Sequence, residues 1–210
     1  MQINIGRKSA VIIGAFILVA AGVLSLAINK SDDTDMGGMS GHANHMSTST
    51  YANYTGADIM FLQMMIPHHQ QAIDISNLAL KVSQDPELKA LAQSIATAQA
   101  AEIIQMKAWL KDAGASEEPG HSMDGMGGML SETDLAALKA ATGKQFDILW
   151  LKGMTGHHDG AIHMTMMIED ANNPDIKAFG KNVVKAQSAE IKQMKAMLAR
   201  LDRKSTRLNS

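Results

Sequence analysis

The chain repeats itself. Stretches of its first half recur in the second half in the same order and at nearly constant spacing. FLQMMIPHHQQAI (61–73) returns as WLKGMTGHHDGAI (150–162) at an offset of 89, DPELK (85–89) as NPDIK (173–177), and AQAAEIIQMKAWL (98–110) as AQSAEIKQMKAML (186–198) at an offset of 88. An internal repeat predicts a domain built from two like halves that pack against each other.

Each half is predicted to contain a pair of long helices. Asp58 is predicted to be the N-cap or a first-turn acid of a helix that reaches about Val82. Asp85-Pro86 then starts a helix to about Asp112, which Gly114 ends. Proline is favoured at the first position of a helix and glycine just beyond its end.

The second half adds one short helix before its long pair. The predicted helices run from Ser131-x-x-Asp134 to near Gly143, on to about Ala171, and from Asn173-Pro174 to near Leu201. No stretch alternates with the period of two that a strand would show. The predicted fold is all-α: an antiparallel, ferritin-like four-helix bundle with pseudo-twofold symmetry.

The N-terminus predicts an extracytoplasmic destination. Arg7 and Lys8 precede an uncharged, mostly apolar run at 10–28. This run is long enough to cross a bilayer, and the positive flank stays inside. It is predicted to be a single-pass anchor, with cleavage after Ala27 as the alternative. The domain then faces the periplasm or cell exterior, or is secreted if the segment is cleaved.

The chain divides into four regions. They are a signal anchor or transmembrane helix at 1–30, a flexible Met/His-containing tether at 31–50, the bundle at 51–201, and a disordered tail at 202–210. Within the bundle we predict repeat one at 55–113, a Gly/Met-rich linker at 114–130 and repeat two at 131–201.

Composition limits the chemistry that is open to the chain. It has no cysteine, so disulfides, thiolate zinc sites and cysteine-based catalysis are excluded. It has 17 methionines against 4 phenylalanines, so thioether sulfur is abundant. A formal net charge of −2 gives no reason to expect a nucleic-acid partner.

Methionine and histidine share helix faces in both halves. Residues three and four apart on a helix lie on one face, which places Met65 with His68 and His69, and Met154 with His157 and His158. His163 follows on the next turn. The partner helices present, again on one face, Gln99, Glu102 and Met106, or Gln187, Glu190 and Met194.

The histidines, methionines and glutamates among these side chains are predicted metal ligands. A mixture of soft thioether and borderline imidazole favours Cu(I) and tolerates Cu(II). Methionine at helical spacing is also common core filling, and Glu102 and Glu190 could be ligands or could orient the histidines. His69 and His158 could likewise orient a ligand without binding the metal themselves.

The flexible segments repeat this chemistry among glycines, where burial does not explain methionine. They are predicted to capture copper through Met36, Met39, His42, His45 and Met46 in the tether and His121, Met123, Met126 and Met129 in the linker. The alternative is a low-complexity linker of incidental composition.

A helix-weakening residue precedes the paired histidines in both repeats. Pro67 in the first half and Gly156 in the second occupy the same repeat position, which suggests that the two helices share a bend there.

The segments MIPHHQQAI and GMTGHHDGAIHM, with the AQxAEIxQMK helices, resemble the family catalogued as domain of unknown function 305. The resemblance covers about residues 51–201. It implies a ferritin-like four-helix fold and, from the family's CopM-like members, periplasmic copper binding linked to copper resistance. The matching positions that would bind copper are Met65, His68, His69, Glu102, Met106, Met154, His157, His158, Glu190 and Met194.

The predicted function is copper sequestration or transfer to an exporter or chaperone, without enzymatic turnover. A ferritin-like metallo-oxidase is one alternative, but di-iron bundles need Glu-x-x-His on two helices. The one Glu-x-x-His here joins Glu118 to His121 in a Gly-Pro segment. A metal-free interaction module with a Met-rich surface is the other alternative.

Overall fold

The computed structural model of the chain describes residues 53–118 and 127–208, with side chains described as far as 202. The predicted membrane anchor, the tether and residues 119–126 of the linker lie outside the described residues. Among the helices that are described, none is both long enough and apolar enough to span a bilayer.

The described part of the chain is all-helical, as predicted, and contains no strand. It consists of α1 (Gly56–Val82), α2 (Pro86–Asp112), α3 (Glu132–Ala140), α4 (Gly143–Met164) and α5 (Pro174–Leu208), with a 3₁₀ turn at Thr165–Ile168 after α4. The helices pack as a bundle in which α1 contacts α2 and α4, and α4 contacts α5.

Local capping chemistry sets most helix ends. Thr55 caps α1 and Asp58 closes a capping box from the first turn, so Asp58 is the first-turn acid and not the cap. Asp85 caps α2 ahead of Pro86. Gly114, at φ +68°, follows the end of α2 in the left-handed conformation that glycine adopts readily.

Two helix ends differ from the prediction. Helix α4 ends at Met164, not near Ala171, and passes into the 3₁₀ turn. The Thr165 hydroxyl donates to the Ile162 carbonyl at 2.7 Å, a local bond that competes with continued α-helix. Helix α5 continues to Leu208, beyond the predicted end at Leu201, because Arg, Lys and Leu are good helix formers.

The direction of each long helix follows from contacts between helix ends. Arg200, near the C-terminal end of α5, binds Asp85 at the start of α2 at 2.6 Å. Trp109, near the end of α2, meets Phe179 near the start of α5 with ring centroids 5.4 Å apart. The indole of Trp150, in the first half of α4, donates to the Ile75 carbonyl, in the second half of α1, at 3.0 Å.

Two separate apolar clusters form the core. One contains the first part of α1 and the last part of α2, together with the facing parts of α4 and α5, and includes Met65 and Met106. The other contains the opposite ends of the same helices and includes Met154 and Met194. The middle of the bundle, between the clusters, is polar.

Residues 127–130, which we call the strap, cross α1 and α4 at the level of this polar middle. The Gln71 side chain donates to the Leu130 carbonyl at 3.0 Å and accepts from the Leu130 amide at 2.8 Å. Where the strap meets α4, a Cβ added to Gly128 of the strap would lie 2.6 Å from the carbonyl oxygen of Gly156 on α4. A Cβ on Gly160 would collide with the Gly127 carbonyl, so glycine permits this close approach.

We expect Gly160→Ala to destabilise the protein by about 1–3 kcal/mol, because the new methyl group meets strap backbone that cannot rotate away. Gly156→Ala is the matched control on the same helix, since a Cβ there meets nothing within 4 Å. Helix propensity alone should make that variant up to about 1 kcal/mol more stable. Urea unfolding of both variants measures the difference, and equal stability would show that the strap does not pack as described.

Candidate metal site

A layer of buried polar side chains separates the two apolar clusters. We call it the polar layer. It contains His68 and His69 from α1, Gln99 from α2, His157 and His158 from α4, and Gln187 from α5. All four histidines are 0 % exposed, which is unusual for a side chain with two polar nitrogens.

The inner histidines, His68 and His157, meet at the centre of this layer. Their ring centroids lie 3.8 Å apart with 40° between the ring planes. None of their four ring nitrogens has a hydrogen-bond partner. The pair therefore joins the two repeats through imidazole groups whose polar atoms are unsatisfied.

Burial keeps the inner histidines neutral. Burial is the main cause that lowers the pKa of His68 to about 3, and the electrostatic interaction with the neighbouring His69 ring acts in the same direction. A backbone contact with Gly127 of the strap raises this pKa and so offsets a part of the lowering. Burial, followed by the influence of His68, also lowers the pKa of His157 well below its usual value. Neutral imidazole retains a nitrogen lone pair, which is the form that binds metal.

The outer histidines, His69 and His158, each contact a carboxylate of the partner helix. His69 Nε2 lies 2.7 Å from Glu102 Oε2, and His158 Nε2 lies 2.7 Å from Glu190 Oε2. The two carboxylate side chains are partly exposed, at 14 % and 20 %. Nδ1 of each outer histidine is buried and without a partner. The same contact thus occurs once in each repeat.

The methionines of the prediction border the polar layer. Met65, Met106, Met154 and Met194 are all completely buried. Met65 and Met154 precede the inner histidine of their own helix by three residues, so each shares its face. The Met194 sulfur accepts a contact from the Thr155 hydroxyl at 3.8 Å. These side chains pack in the apolar clusters on either side of the polar layer.

Gln99 and Gln187 belong to the layer, although the sequence pattern assigned them no ligand role. Both are 3 % exposed and each has a buried Oε1 without a partner. Their recurrence at the same position of both repeats is the signal that could have singled them out.

Other predicted ligands lie elsewhere. His163 is exposed on α4 and lines an open groove with Met166 and Glu169, apart from the buried histidines. Met129 is half-buried in the strap. The remaining candidates fall outside the described residues: Met36, Met39, His42, His45, Met46, His121, Met123 and Met126. Pro67 and Gly156 lie within α1 and α4, and the bend stays a prediction.

Within 53–118 and 127–208, no three His, Asp or Glu side chains are arranged to hold a metal ion by themselves. The chain has no cysteine, so methionine sulfur is the soft donor that it can offer beside these imidazoles. The residues of the layer and its borders thus fit a metal that accepts imidazole and thioether together.

The profile of the DUF305 family (domain of unknown function) matches residues 58–198. The chain belongs to this family. A DUF305 protein from Streptomyces coelicolor is 30 % identical over 70 % of this chain and 94 % of its own, with a TM-score of 0.66. A DUF305 fragment from Deinococcus radiodurans is 32 % identical over 70 % and 98 %, also with a TM-score of 0.66.

A third similar structure is CopM in its Cu(I)-bound form, which is 34 % identical over 68 % of this chain and 96 % of its own, with a TM-score of 0.59. CopM has also been solved in Cu(II)-bound and silver-bound forms. Comparison with curated protein sequences gives no significant match.

Proposed function

We propose that this protein binds copper, with Cu(I) favoured, through the imidazoles of the polar layer and the methionine sulfurs at its borders. The observation that carries the proposal is the set of buried ring nitrogens that have no hydrogen-bond partner. An unsatisfied buried polar group costs about 1–3 kcal/mol, so a protein rarely retains several of them in one place without a use. A bound metal ion would satisfy them.

The donor set supports copper over a di-iron centre. Di-iron bundles require carboxylates that project into the core from several helices. The two carboxylates beside this layer, Glu102 and Glu190, contact histidine nitrogen and reach solvent. Thioether and imidazole donors without thiolate suit Cu(I). The likeness to CopM, which has been solved with Cu(I), Cu(II) and silver, agrees with this choice.

The wider role follows from the sequence. We propose that the four long helices form a ferritin-like bundle, held on the outer side of a membrane by the segment at 1–30. There it would sequester copper or transfer it to an exporter or chaperone, without turnover, and so contribute to copper tolerance. The Met/His segments of the tether and linker would supply further weak copper ligands.

Metal analysis and titration test the proposal. The full chain, purified in a mild detergent, is titrated with Cu(I) against a competing chelator, and its metal content is measured before and after loading. We expect tight, stoichiometric Cu(I) binding. Two bound irons would favour an oxidase instead, and no bound metal would favour an interaction module.

A further inference from the structure

The outer histidines differ from the inner ones in one respect that determines which nitrogen can bind metal. Each outer histidine has one ring nitrogen engaged by a carboxylate, at 2.7 Å in both repeats. The inner histidines have neither nitrogen engaged. The four imidazoles of the polar layer therefore form an oriented pair and an unoriented pair.

The carboxylate contact fixes the position of a proton. A carboxylate oxygen accepts hydrogen bonds, so at 2.7 Å the Nε2 atoms of His69 and His158 must carry the hydrogen. A second hydrogen on Nδ1 would be a buried donor without an acceptor. The neutral tautomer with hydrogen on Nε2 avoids that penalty and leaves the lone pair on Nδ1.

We propose that Glu102 and Glu190 are positioning residues that turn the Nδ1 lone pairs of His69 and His158 toward the metal, and that they are not copper ligands themselves. The inference rests on the proposed copper function and assigns the ligand atoms within it. It also separates the two roles that the sequence left open for these carboxylates.

The position of the carboxylates fits this role. Each lies on the partner helix of its repeat, so the contact ties α1 to α2 in one half and α4 to α5 in the other. Each retains partial exposure, whereas its histidine has none. The negative charge therefore stays near solvent, and a carboxylate engaged in this way increases the basicity of the ligand nitrogen.

The arrangement also has a consequence for metal choice. Carboxylate oxygen is a hard donor that suits Mg²⁺, Ca²⁺ and Mn²⁺, whereas thioether sulfur suits Cu(I). If both carboxylates are occupied by histidine, imidazole and thioether donors define the site. We therefore expect the carboxylates to increase selectivity for Cu(I) without touching it.

The first experiment determines the histidine tautomers of the metal-free full chain from two-bond ¹H–¹⁵N spectra. We expect His69 and His158 to carry hydrogen on Nε2 in the unsubstituted protein. In the Glu102→Leu/Glu190→Leu variant this preference should disappear, and in Glu102→Gln/Glu190→Gln it should persist, because the amide oxygen can still accept. Hydrogen on Nδ1 in the unsubstituted protein would overturn the proposal whether or not any variant folds.

The second experiment measures Cu(I) affinity by chelator competition in the same proteins. The leucine variant should bind about 10–100-fold more weakly at unchanged stoichiometry, as is typical when a group that orients a ligand is lost. The glutamine variant should recover most of that loss. An equal loss in both variants, or a lower stoichiometry, would mean that the carboxylates bind copper directly.

Glu117→Leu is the matched control. Its carboxylate pairs with Lys107 at 2.7 Å on the surface and is 53 % exposed. Neither the tautomers nor the affinity should change in this variant. If the unsubstituted protein binds no copper, the proposed function fails while the tautomer result still stands, so the two failures are distinguishable.

Discussion

Replacing both inner histidines, in His68→Leu/His157→Leu, is expected to weaken Cu(I) binding by more than about 100-fold. Loss of a group that merely orients a ligand weakens metal binding by about 10–100-fold, so loss of two ligands should exceed that range. Competition with a Cu(I) chelator at fixed ionic strength measures the change. His163→Leu is the matched control, because His163 is exposed on the same helix as His157.

The same double variant should be more stable than the parent protein when both are free of metal. Four buried ring nitrogens without partners disappear, and leucine occupies a similar space. Replacing unsatisfied polar groups by apolar groups of like shape is neutral or stabilising, here by about 1–3 kcal/mol. Urea unfolding of the metal-free proteins provides the measurement.

Together the two results separate a binding site from a structural core. A core role predicts a variant that is less stable and still binds copper, whereas a binding role predicts the opposite on both counts. If copper affinity is unchanged in the double variant but falls in His163→Leu, copper binds at the exposed groove and the polar layer is not the site.

Acid should destabilise the metal-free protein steeply. The pKa of His68 is lowered to about 3 and that of His157 is also lowered well below the usual value. In the unfolded chain both return to about 6.5. Below that pH the unfolded state binds more protons than the folded state, so the stability that is fully present above about pH 6.5 falls as the pH falls.

The size of the effect follows from proton linkage. Each such histidine contributes a slope of about 1.4 kcal/mol per pH unit, so the pair contributes about 2.7 kcal/mol per unit below about pH 6. This is large beside a typical folding free energy of about 5–15 kcal/mol. Urea unfolding at about pH 7, 6 and 5 should show it, and His68→Leu/His157→Leu should flatten the profile. An equally steep profile in that variant would assign the loss to other groups.

Local chemistry made much of the fold predictable from the sequence. The starts of α1, α2 and α3 depend on side chains within three residues of the cap, at Thr55 and Asp58, at Asp85, and at Ser131 and Asp134. The end of α4 was less predictable, because the bond from Thr165 to Ile162 competes with a pattern that continues beyond it.

The residue types of the polar layer could be predicted from the sequence, but the arrangement of its histidines could not. Adjacent histidines on a helix point about 100° apart, so the sequence could not decide which of His68 and His69 meets the other repeat and which meets Glu102. That depends on how each helix is rotated in the bundle. His163 follows His158 by five residues and so lies on another side of α4, where the structure leaves it exposed.

The strap makes the two repeats of the bundle structurally different. Gln71 and Gly160 occupy the same position of the two repeats, yet one holds the strap with an amide side chain and the other by having no side chain at all. If the two halves were identical, the four-residue strap could pack in two equivalent ways. Divergence of the halves at the positions that meet the strap leaves one way for the strap to pack, so the duplicated bundle is asymmetric at this face.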